Sequence, residues 1–114
     1  MRIRVIPRED QYVLLSLNGY HVMTHRDVVD SFMELVRRAK PRGRWQARVL
    51  LWLAEAGRVP ASAGRMLRGA AAQYTGKYQR SLEAIMERAG AVFHPGPRGG
   101  RWCGYYALPK QPSQ

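Results

Sequence analysis

Leu82-Glu83-Ala84-Ile85-Met86-Glu87-Arg88-Ala89-Gly90-Ala91-Val92-Phe93-His94-Pro95-Gly96-Pro97-Arg98-Gly99-Gly100 changes its periodicity at Gly90. Before the glycine, Tyr78, Leu82, Ile85, Met86 and Ala89 recur at helical spacing and make one apolar stripe, which predicts a helix over 75–89 capped by Thr75 or Gly76. Gly90 ends it. Beyond it, Ala91 to His94 reads as a strand, Pro95 to Gly100 as a Gly/Pro-rich loop, and Arg101 to Leu108 as the returning strand.

Working back from that helix, Gly69 to Gln73 reads as a turn. Val59-Pro60-Ala61-Ser62 predicts the start of a shorter helix, with Pro60 near its first position and Ala63, Met66 and Leu67 facing inward. Trp45 to Ala56 is apolar on most sides between Val49 and Ala54, so it is expected to be a buried central helix stopped by Gly57. Lys40-Pro41-Arg42-Gly43-Arg44 is punctuated by proline and glycine and reads as a linker.

Residues 1–40 have a different texture. Arg2 to Ile6 alternates polar and apolar residues, as a half-buried strand does. Tyr12 to Leu17 is a β-branched and apolar run, Asn18-Gly19 is a type I′ hairpin signal, and Tyr20 to Met23 is the returning strand. Thr24 is expected to cap a helix in which Val28, Val29, Phe32, Leu35 and Val36 point inward, with Arg37, Arg38 and Lys40 complementing the dipole of its last turn. The expected fold class is α+β: a small ββ(β)α unit over 1–40, then three helices and a hairpin over 41–110.

Charge divides the chain at the same place. Nineteen Lys+Arg against eight Asp+Glu give a formal net charge of +11 over 114 residues. Residues 1–40 hold seven basic and five acidic residues, and residues 41–114 hold twelve and three. A strongly basic unit favours a polyanionic partner. Sixteen of the basic residues are arginine, whose forked donors suit phosphate and guanine, although a GC-rich genome produces the same bias.

The order helix, helix, helix, hairpin with a basic loop resembles a winged helix-turn-helix over residues 44–108. The likeness is carried by Leu82 to Val92, similar to the end of a recognition helix turning through glycine into the wing, and by the Gly/Arg loop 96–101. The resemblance implies that the helix over 75–89 enters the major groove of double-stranded DNA, presenting Lys77, Gln79, Arg80, Ser81 and Ala84, where Arg and Gln pair with guanine and adenine edges. It implies that Thr75 and Gly76 offer backbone N–H groups to a phosphate. Arg98 and Arg101 on the wing are then expected at the backbone or minor groove, and Arg65, Arg68, Arg44 and Arg48 at phosphates. A two-fold homodimer, or a protein contact through residues 1–40, completes the expectation of a small cytoplasmic transcriptional regulator. The alternative is a non-enzymatic inhibitor or adaptor that turns the same arginines on an acidic or nucleic-acid-binding protein, with Trp102, Tyr105 and Tyr106 as anchors. A module that binds structured RNA is a third reading.

Other classes are disfavoured. No run reaches the roughly 18 apolar residues of a membrane span, and Met1 to Glu9 lacks the apolar core and cleavage site of a signal peptide. Cys103 is alone, so neither a disulfide framework nor a cysteine zinc site is expected. His21 and His25 flank the expected cap, and His94 with Cys103 lacks an orienting group and an oxyanion hole. The Gly96–Gly100 loop lacks the Lys-Ser/Thr ending of a phosphate-binding P-loop. The sequence therefore points to no enzyme, metal or cofactor.

Overall fold

A computed structural model describes residues 1–63, 77–99 and 103–109. Among them are strands β1 (Ile3–Pro7), β2 (Tyr12–Leu17) and β3 (Tyr20–His25), then a 3₁₀ turn (Arg26–Val28) and helices α1 (Val29–Ala39) and α2 (Arg44–Ala56). Strand β4 (Arg58–Pro60), helix α3 (Lys77–Ala89) and strands β5 (Val92–His94) and β6 (Tyr105–Ala107) follow. The fold is mixed α+β, with three α-helices and two small antiparallel sheets among the described residues.

The first sheet is a meander ordered β1-β2-β3. Its β2–β3 turn places Asn18 at φ 51° and Gly19 at φ 86°, the two positive values that a type I′ turn demands and that Asn-Gly supplies at low steric cost. Alternation along β2 sends Val13, Leu15 and Leu17 into the core. β3 runs two residues further than Met23. Thr24 is therefore buried inside a strand, where its hydroxyl donates to Glu55 Oε2 at 3.1 Å, and it does not cap the helix. A buried hydroxyl needs a partner, and the carboxylate on α2 provides one that the capping role would have forfeited.

The second sheet is ordered β4-β6-β5. The segment expected to open a helix at Val59-Pro60 forms β4 instead, with Val59 opposite Tyr106 and Pro60 opposite Tyr105. Proline disfavours the helical conformation in the residue before it, and Val59 gains full burial as a strand residue. Pro60 can join the ladder because β4 is an edge strand, where a missing N–H is tolerated. Pairing continues one residue on, where Ala61 N–H donates to Gly104 O at 2.8 Å.

One hydrophobic cluster serves both parts of the chain. Phe32, Leu35 and Ala39 of α1 and the inward residues of β2 join Val49, Leu50 and Leu53 of α2, Val59 of β4, and Leu82, Ile85 and Met86 of α3. Between the two parts, Lys40 caps α1 in the left-handed conformation (φ 49°) and Pro41 is buried. No helix among the described residues is long and apolar enough to cross a membrane.

Candidate nucleic-acid interface

The start of α2 is held by a side chain from within it. Gly43 is the N-cap and makes no side-chain bond, but Gln46 in the first turn reaches back so that its Oε1 accepts the Arg42 N–H at 2.9 Å. This resembles the reciprocal half of a capping box, shifted by one residue. The same oxygen accepts from Arg88 of α3 at 3.0 Å, and Gln46 Nε2 donates to Ser81 Oγ at 3.0 Å. Arg88 Nε also donates to Ala39 O at the end of α1, at 2.7 Å. A buried glutamine thus ties α2 to α3, and Arg88 carries the link on to the end of α1.

Along α3 the apolar stripe is inward as the periodicity requires, with Leu82, Ile85, Met86 and Ala89 fully buried. Gln79 falls on that side too. It is 3% exposed, and its Nε2 donates to Glu83 at 3.2 Å while its Oε1 has no partner among the described residues, so it does not present an outward edge for reading a base. Helical geometry is the reason: Gln79 lies three residues from Leu82 and seven from Met86, within the arc that the core occupies. Arg80 is exposed and Ser81 and Ala84 are half-buried on the other side. Lys77 opens α3. Arg65, Arg68, Thr75, Gly76 and Arg101 lie outside the described residues, as do Trp102, the turn over 69–73 and the inward positions Met66 and Leu67.

The arginines of α2 meet an aromatic ring from the first sheet. Arg48 donates to the Tyr20 hydroxyl at 2.7 Å, and the guanidinium groups of Arg44 and Arg48 lie 5.9 and 5.6 Å from the centre of its ring. These contacts join the β2–β3 hairpin to the basic face of α2, a link that the sequence did not signal because Tyr20 reads only as a strand aromatic.

In the second sheet the Tyr105 ring stacks on His94 at 4.8 Å, and the Arg58 guanidinium lies 4.4 Å from its centre. His94 therefore faces Tyr105, while Cys103 is exposed. Beyond β5, Gly99 N–H donates to Gly96 O at 3.0 Å and closes a four-residue turn that leaves Arg98 exposed at its corner.

The charges differ in their company. On α1, Glu34 accepts from Arg37 at 2.7 Å and lies 4.0 Å from Arg38, and the Arg37 guanidinium holds its carboxyl below the ordinary glutamate value. Arg42, Arg44, Arg48, Arg80 and Arg98, by contrast, make no ion pair with any described residue. No protein-family model, curated protein or solved structure matches the chain.

Proposed function

We propose that this protein binds double-stranded DNA through a winged-helix unit formed by residues 41–110, and that it acts as a small transcriptional regulator. The observation that carries the reading is the set of arginines on α2, α3 and the 96–99 turn that have no carboxylate partner among the described residues. Phosphates supply such partners, and each one neutralised releases counterions. The sheet order supports the same reading, because β4, the strand that leaves α2, pairs with β6 and so fixes the β5–β6 hairpin to the helical layer. In this reading α3 turns Arg80, Ser81 and Ala84 toward the duplex, and Arg98 follows the backbone. Residues 1–40 supply a homodimer or protein contact, for which Tyr12 and Met23 stand exposed at 45% and 57%.

Fluorescence anisotropy of a labelled random duplex of about 30 base pairs, titrated from low to physiological salt, tests the reading. Binding whose logarithm falls linearly with log salt over several ion equivalents is expected. A folded sample that leaves the duplex free even at low salt would sink the DNA reading and turn attention to an acidic protein partner.

A further inference from the structure

Between the start of α2 and the outer side of α3 lies a hollow of about 590 Å³. Small residues are among its lining. Ser81 and Ala84 present little bulk, and the space beside Gly43 is open. Among the described residues three arginines line it, Arg42 from the approach to α2 and Arg80 and Arg88 from α3, and no carboxylate does. Arg80, Ala84 and Arg88 repeat every four residues, so the two guanidinium stems flank the alanine on one face. Glu83 and Glu87 stand beside Arg80 on the far side from Arg88, and neither lines the hollow.

The donors around this space exceed the local acceptors. Gln46 takes one Arg88 N–H and Ala39 O takes another, and no other acceptor among the described residues takes the rest of that guanidinium. The first turn of α2 has neither a side-chain cap nor an acidic residue. Its leading N–H groups have no acceptor within the helix, and they add a partial positive charge. Trp45 and Tyr78 close one side, their rings 5.4 Å apart. A tetrahedral anion with two free oxygens matches forked donors converging from two elements.

We infer that this hollow seats one phosphodiester of the duplex backbone, gripped by Arg42, Arg80 and Arg88. The assignment rests on the DNA reading above, and it makes Arg80 a phosphate ligand and not a reader of base edges. Seating a phosphate here sets the depth of α3 against the duplex.

The test uses the full chain and three variants. Ala84→Glu puts a carboxylate into the hollow, four residues from both Arg80 and Arg88, where it supports the helix while occupying the anion's place. Ser31→Glu on α1 adds the same charge elsewhere. Arg42→Gln removes one ligand and keeps its backbone N–H for Gln46. Dimethyl phosphate, followed by amide chemical shifts, is expected to move the Gly43–Gln46 signals in the wild type and in Ser31→Glu, and to leave them still in Ala84→Glu. Against duplexes of unrelated sequence, Ala84→Glu and Arg42→Gln are expected to weaken binding severalfold and to an equal degree on each, with a salt slope lower by about 1. Wild-type amides that ignore dimethyl phosphate would overturn the site. So would Ala84→Glu losing no more duplex affinity than Ser31→Glu, or an Arg42→Gln loss that depends on sequence. A wild type that responds to dimethyl phosphate yet leaves duplex unbound would refute the DNA reading and the backbone source together, while keeping the anion site.

Discussion

Gln46 is 8% exposed, and its amide answers three groups on two segments: the Arg42 N–H ahead of α2, and the Arg88 guanidinium and Ser81 hydroxyl of α3. Removing it takes away the protein partner of those groups at the edge of the α2–α3 hollow, and a hydrogen bond contributes about 0.5–1.5 kcal/mol net, more where one partner is charged. Gln46→Ala is expected to lower stability by about 2–3 kcal/mol in urea unfolding. Gln46→Glu is expected to lose less, because a carboxylate still accepts from Arg42 and Arg88 and the Ser81 hydroxyl can donate to it. Equal losses in the two variants would mean that the Nε2 donation to Ser81, which a carboxylate of the same size cannot make, sets the value, and not acceptance from Arg42 and Arg88. The same scale explains why Thr24 belongs to a strand. Its hydroxyl serves Glu55, a residue 31 positions away that local pattern cannot supply.

At the scale of elements, the β5–β6 hairpin depends on a close approach. A Cβ at Gly104 would overlap the His94 carbonyl and stand 2.7 Å from the Phe93 ring, so the strands can meet there only without a side chain. Gly104→Ala is expected to cost about 1–3 kcal/mol by forced displacement, and to speed amide exchange in β5 and β6 well before it affects β1–β3. Uniform exchange throughout the protein would mean that the hairpin is not a separable element of stability. Elements with a strong local signature were legible from residue order alone. The Asn18-Gly19 turn, the stripe Leu82-Ile85-Met86-Ala89 and the Gly90 stop each rest on a periodicity or a backbone preference. β4 was not legible. Its three residues are a strand only because β6 pairs with them, and Val59-Pro60-Ala61 read alone fits a helix start equally well. The arc of α3 that carries Gln79 was not legible for a related reason. The core extends to that residue, and a polar side chain there hides the reach of the apolar stripe.

For the molecule as a whole, the division of charge at residue 40 is not matched by a division of the core. Phe32 and Leu35 are buried against the same cluster as Leu50 and Ile85, and Arg88 and Arg38 of the two parts donate to Ala39 O and Ala89 O across the seam. The chain is therefore expected to unfold in one transition, with far-ultraviolet circular dichroism and tryptophan fluorescence giving the same urea midpoint. Separated midpoints would show that the N-terminal sheet and α1 form a unit of their own. The candidate interface was legible as a region of charge, while its geometry depends on α2 and α3 being set side by side by that shared core. The pairing of Arg58–Pro60 with Tyr105–Ala107 has a kinetic side as well. Every other strand pair joins neighbours along the chain, whereas β4 must wait for α3 and the hairpin before its partner exists. Closing so long a loop carries an entropic cost that local contacts do not repay early. The second sheet should accordingly be the late step of folding, and the edge that β6 offers to β4 is the surface most open to a wrong strand in the meantime.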